Sequence, residues 1–179
     1  MKLATALLML LIATGVCSSK KSFGQSGAVD VSGSWQAWFC PQRAALPDPE
    51  KCSSFALELF QYGDRICGSH SFATPRGARL DEGGAPSIRG KANGDTGTLS
   101  IDSSRFEGQL HAEVKRNGSQ LHWRRTNDPP GGYLIPESAT LSRVKQGAAL
   151  SLDFVEQLRR TCSSQPNSGV QPTPENGRG

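Results

Sequence analysis

The chain has 179 residues, of which 36% are apolar and 20% charged, with 20 glycines and a formal net charge of +4. This supports one modest hydrophobic core and therefore one domain. The charge is mild and scattered, and basic residues are not interleaved with stacking aromatics, which argues against a nucleic-acid partner and leaves a slight lean towards acidic surfaces.

The opening stretch MKLATALLMLLIATGVC has one Lys, an unbroken run of apolar and small residues from Leu3 to Val16, and then the polar SSKKS. This pattern predicts a bacterial secretory signal over residues 1–18, too short to span a bilayer. Thr14-Gly15-Val16-Cys17-Ser18-Ser19 resembles a bacterial lipobox, departing from it at Val16. A cut after Gly15 would leave Cys17 as an odd fifth thiol in an oxidising compartment. Two outcomes remain: cleavage after Cys17, for example after Ser18, or a lipid carried on Cys17. The expectation is an exported, periplasmic chain that contacts a membrane only through such a lipid. Residues 19–31 read as a flexible leader, and packing is expected to begin at about Val31.

The first strand is expected at GSWQAWF (33–39), and its Gly33-Ser34-Trp35 resembles the Gly-x-Trp opening of lipocalin-like and avidin-like barrels. Three two-residue turns follow, at Gly63-Asp64, Gly94-Asp95 and Asn117-Gly118, each flanked by alternating apolar and polar residues. Each turn fixes a register that can be tested against the alternation. Around the first, Tyr62 meets Arg65, and Leu59, Leu57 and Phe55 fall opposite Gly68, His70 and Phe72. Around the second, Ile88 meets Ile101 and Gly90 meets Leu99. Around the third, Val114 is expected beside Leu121, Ala112 beside Trp123 and Leu110 beside Arg125, with Lys115, Glu113 and His111 on the other face beside Gln120, His122 and Arg124.

With a last strand at ESATLSRV (137–144), these give about eight strands in up-and-down order. An open meander would leave two exposed edges, so the predicted fold is all-β, a small closed or nearly closed antiparallel barrel. Outward residues such as Glu58, Arg89, Lys91 and Lys115 are polar, which excludes a lipid-facing barrel. Alternating strand direction places the tight turns at one end and the longer connections, 40–53, 73–86, 103–107 and 127–136, at the other. The segment ALSLDFVEQLRRTC then reads as a helix with Phe154, Val155, Leu158 and Cys162 on one stripe, packed outside the barrel. The barrel and helix span 32–162, and the Pro-, Gly- and Ser-rich residues 163–179 read as a disordered tail.

Four cysteines in the domain allow three pairings. Cys40 and Cys52 flank one rim loop, while Cys67 follows the register to the outer face beside Phe60, where the helix stripe would bring Cys162. The predicted disulfides are therefore Cys40–Cys52 and Cys67–Cys162.

Chemistry is sparse. Cys67 and His70 lie three apart in a strand and point to opposite faces, so they do not form half a zinc site. His111, His122 and Glu113 read as solvated outer-face residues, so no metal is expected. Ser142-x-x-Lys145 falls at a strand end, and GAPSIRGK lacks the spacing of a phosphate loop. No nucleophile elbow, catalytic carboxylate pair or nucleotide fingerprint is visible, so neither an enzyme nor a cofactor is predicted. Arg76, Arg79, Arg105, Phe106 and Tyr133 do gather on the expected rim loops, and these residue types make contact hot spots. Small bacterial lysozyme inhibitors are exported, disulfide-bonded barrels of comparable size, and the stretch from Trp123 to Leu141 is similar to theirs in ending on a Trp strand and an Ala-x-Leu. The sequence thus predicts a monomeric binding protein of the envelope, an inhibitor or immunity-type module whose rim meets an envelope or secreted protein, preferably an acidic one. The alternative is a carrier holding a small ligand inside the barrel against His70, Gln61 and Arg125, in space left by Gly68, Gly90, Gly97, Ala37 and Ala112.

Overall fold

A computed structural model describes residues 30–41 and 47–165. The predicted signal, Cys17 and the leader up to residue 29 lie outside the described residues, as does the predicted tail from residue 166. Among the described residues no helix is long and apolar enough to cross a membrane.

Nine strands and one helix follow in chain order: β1 (Gly33–Phe39), β2 (Ser53–Tyr62), β3 (Arg65–Ala73), β4 (Leu80–Glu82), β5 (Ile88–Asn93), β6 (Thr96–Ile101), β7 (Leu110–Asn117), β8 (Gln120–Arg125), β9 (Ser138–Val144) and α1 (Leu152–Ser164). Every strand pair is antiparallel, and the pairings β2–β3 and β1–β9 close eight strands into a barrel. The additional strand, β4, pairs with β3 outside that eight-strand cycle. It lies in the connection 73–86, where a three-residue strand among glycines and prolines leaves no readable alternation.

The first two hairpins have the predicted registers, including Leu57 against His70 and Ile88 against Ile101. The third is displaced. Its central residues are Gly118 and Ser119, so Val114 lies against Trp123, Ala112 against Arg125 and Glu113 against Arg124. Asn117-Gly118 is a strong turn signal, but all three turns start on a glycine with positive φ, 64° at Gly63, 63° at Gly94 and 59° at Gly118, and Asn117 is the last strand residue before its turn. The slip moves each partner by two residues, so no side chain changes face.

The inward rows form one core containing Trp35, Phe55, Leu57, Ile88, Leu121 and Trp123, each at most 2% exposed. Val31 plugs the turn end: it is buried, its carbonyl accepts from the Trp35 indole at 2.9 Å, and its N–H donates to Gln61 Oε1 at 3.0 Å.

Helix α1 packs outside on β2 and β3. Ser151 caps it by accepting from the Phe154 N–H, and Asp153 adds negative charge to its first turn, which complements the helix dipole. Its buried stripe is Val155, Leu158 and Cys162. Both predicted disulfides are present, Cys40–Cys52 and Cys67–Cys162. The second spans 95 residues of sequence and fastens the helix to the wall.

Candidate functional site at the barrel mouth

The four longer connections share the end of the barrel opposite the tight turns, and a buried carboxylate joins three of them. Asp81, the middle residue of β4, is wholly buried. It accepts from the Ser103 hydroxyl at 2.5 Å and from the Leu134 N–H at 2.7 Å. His70 Nε2 lies 3.6 Å from its Oδ1. Burial pushes the Asp81 carboxyl up, but the His70 imidazole beside it and the hydrogen bonds from Ser103 and Leu134 outweigh this and hold it below the usual aspartate range. The ionised form is therefore the one that ties β4 to the β6–β7 and β8–β9 connections.

Other contacts continue the clasp. Arg105 donates from Nη1 to the Leu80 carbonyl at 2.8 Å and from Nε to the Gly132 carbonyl at 3.0 Å. The Phe106 and Tyr133 rings lie 5.3 Å apart. Arg125 stacks over Tyr133, donates to the Ile135 carbonyl at 2.9 Å and pairs with Asp128, which also accepts from the Tyr133 hydroxyl. Across the mouth, the Arg76 N–H donates to the Pro49 carbonyl at 2.9 Å and its guanidinium pairs with Glu50.

The five rim residues named from sequence are thus all at the mouth, in different roles. Arg105, Phe106 and Tyr133 brace loops against one another. Arg76 joins the 3₁₀ turn Pro75–Gly77 to the loop before β2. Arg79 is exposed, with no partner for its guanidinium among the described residues.

The sequence reading overlooked two exposed apolar residues, Phe39 and Leu80, at 39% and 45% exposure. Phe39 ends a line of rings running Trp123, Phe55, Phe72, Phe39 from core to mouth, with centroids 5.1, 6.4 and 6.0 Å apart. Alternation from Trp35 through Ala37 was the available signal, since it places Phe39 inward at the open end. Leu80 and Asp81 had no pattern to mark them.

The interior positions are occupied differently. Gln61 lies at the turn end, where it accepts from Val31 and donates to the Gly63 carbonyl at 3.0 Å. His70 is buried, with Nδ1 2.9 Å from the Ser87 hydroxyl. Arg125 braces the mouth as described. The inward glycines do not enlarge the interior: a Cβ on Gly68 would lie 2.8 Å from Leu59 Cδ2, and one on Gly90 would lie 2.7 Å from Leu99 Cδ2. Neighbouring leucines fill that space.

Ser87, His70 and Asp81 form a line that resembles a nucleophile, base and orienting acid. All three are at most 1% exposed, however, and the Ser87 hydroxyl also lies 3.2 Å from both the His70 N–H and the Ser69 hydroxyl. This arrangement suits a buried hydrogen-bond network that fixes β3 against β5. On the outer face, His111 and His122 contact Ser100 and Thr140, and Glu113 pairs with Arg124 at 2.7 Å. Among the described residues no three metal-ligating side chains converge.

Comparison with known proteins gave no matching family model, no matching curated protein and no matching solved structure.

Proposed function

We propose that this chain is an exported, non-enzymatic binding protein of the bacterial envelope, an inhibitor or immunity-type module that grips a partner protein with its mouth loops. The observation that carries this reading is the pairing of rigidity with exposure. Loops cross-tied through Asp81, Arg105 and the Cys40–Cys52 disulfide hold Phe39 and Leu80 exposed at the mouth that also carries Arg76 and Arg79. Preorganised loops lose little entropy on binding, and apolar residues beside arginines form effective contact centres. Two disulfides suit an oxidising compartment. The exposed guanidinium of Arg79 favours an acidic partner surface, and the packing of Leu59 and Leu99 against Gly68 and Gly90 weighs against the carrier reading.

The test is capture from an envelope extract on the immobilised oxidised protein, compared with Phe39→Ser, Arg79→Ala and Tyr133→Ala. One discrete partner should be retained by the native protein and lost from Phe39→Ser, with weaker retention by the other two. Equal capture by all four proteins would contradict the proposal.

A further inference from the structure

The two disulfides differ in access, in polar contact and in the length of chain they close. Cys40 is half-buried, whereas Cys67 and Cys162 are both wholly buried where α1 meets the wall. A disulfide is reduced by a thiolate that must reach one of its sulfurs, so access decides which bridge reacts. At the rim, the Asp48 N–H also donates to Cys52 Sγ at 3.4 Å, within a turn closed by the Lys51 and Cys52 N–H groups on the Asp48 carbonyl at 2.9 and 2.8 Å. A donor at that sulfur favours its departure as a thiolate. The rim bridge spans 12 residues of sequence and the wall bridge 95. The shorter loop restricts the unfolded chain less, so the rim bridge contributes less to the stability of the whole barrel.

What the rim bridge holds is local. It is the next rung after Phe39–Ser53, the last pair of the β1–β2 ladder on the mouth side. Phe39 is one of the exposed apolar residues of the mouth, and its ring lies 6.0 Å from that of Phe72. The other arm of the loop has ties of its own: the Pro49 carbonyl accepts from the Arg76 N–H at 2.9 Å, and Glu50 pairs with the Arg76 guanidinium. Opening the bridge therefore loosens the Phe39 arm and leaves the Asp48–Cys52 arm fastened.

We infer that Cys40–Cys52 is a redox switch on the mouth, opened by a dithiol reductant, while Cys67–Cys162 is a permanent staple. One thiolate of the dithiol attacks Cys40 Sγ and forms a mixed disulfide, and Cys52 leaves as a thiolate that takes up a proton. The second thiolate of the reductant then attacks the reductant's own sulfur in that mixed disulfide. This closes the reductant's disulfide and releases Cys40, which is protonated in turn. The bridge gains two electrons and two protons, and the dithiol loses them. The switch rests on the mouth-binding reading, since that binding is what it regulates; the order in which the bridges are reduced does not.

The test treats the full, oxidised protein with dithiothreitol under native conditions, quenches it by alkylation at intervals and reads each cysteine by peptide mass spectrometry. Cys40 and Cys52 should be alkylated at least about tenfold faster than Cys67 and Cys162, which wait on an opening of α1. In the rim-reduced protein, hydrogen exchange should quicken at Phe39 and Ser53 and stay unchanged at Val155 and Leu158. Its retention of the envelope partner should fall about tenfold, because a loosened contact residue must be ordered again on binding, and should return on reoxidation. Reduction of both bridges at equal rates, or of the wall bridge first, would overturn the inference. Undiminished retention by the rim-reduced protein, with loss in Phe39→Ser, would also overturn it and leave the mouth reading standing. Retention by both the rim-reduced protein and Phe39→Ser would remove the mouth reading, and the switch with it, whatever the order of reduction.

Discussion

Two buried carboxyl groups set the mouth and the wall of this barrel against each other. Asp81 at the mouth and Glu58 on the outward row of β2 are 0% and 3% exposed, yet their acidities move in opposite directions. Asp81 accepts a hydroxyl and a backbone N–H and has His70 beside it, and it is held below 3.8. Glu58 accepts from Ser34 at 2.5 Å and has the helpful charge of Arg143; burial dominates and raises it above 4.5. The mouth is therefore built to hold a charge and the wall only tolerates one. The same division runs through the rest of each region. Hydrogen bonds and ion pairs between distant loops join the mouth, whereas apolar contact, one long-range disulfide and a single hydrogen bond from Arg65 Nη1 to the Cys162 carbonyl hold α1 on the wall.

Removing the Asp81 carboxylate should have the largest effect. Asp81→Ala leaves the Leu134 N–H and the Ser103 hydroxyl without their acceptor and removes the carboxylate beside His70, and should destabilise by about 3–5 kcal/mol in urea unfolding, the range for breaking a buried charged contact. Asp81→Asn keeps an acceptor and should lose about 1–3 kcal/mol. In both, hydrogen exchange should quicken first at Leu134 and the 103–105 loop.

Next comes the wall. Cys67→Ser/Cys162→Ser should lower stability by about 2–4 kcal/mol and speed exchange across α1 while the mouth amides stay protected. Mouth amides that lose protection along with α1 would abolish the contrast between the regions.

The smallest effects concern pH, and the two groups carry opposite signs. For Asp81 the folded value is depressed, so its contribution is complete above 3.8 and is lost as pH falls through the folded value. For Glu58 the folded value is raised, so its contribution is complete below 4.5 and is lost as pH rises through the folded value. Glu58→Gln, which keeps an acceptor for Ser34, should therefore flatten the decline in stability above pH 4.5 and leave the acid-side decline unchanged. Urea midpoints measured across pH for both proteins check this, and a steeper decline in Glu58→Gln would contradict it.

Much of the wall was legible in the sequence because a two-residue turn and period-two alternation constrain each other. Leu57 against His70, Cys67 beside Phe60 and the Cys67–Cys162 bridge all follow from the Gly63-Asp64 turn. The third hairpin shows the limit: alternation fixes faces but not a slide of two residues, so Asn117-Gly118 misplaced the partners without misplacing the core. The mouth was harder to read. Asp81 acts through Ser103 and Leu134, 22 and 53 residues away, and no local pattern marks an aspartate for such partners. Arg105 and Tyr133 were recognisable as residue types, but a sequence does not show whether a side chain braces a loop or faces a partner.

Whether the mouth is the binding face is tested most directly by site-specific cross-linking. A photoreactive phenylalanine analogue placed at Leu80, exposed at the mouth, is compared in envelope extract with one at Thr98, exposed on the outer wall. A discrete protein adduct from Leu80 and none from Thr98 is the predicted result. Adducts from Thr98 alone, or of equal yield from both positions, would contradict the account.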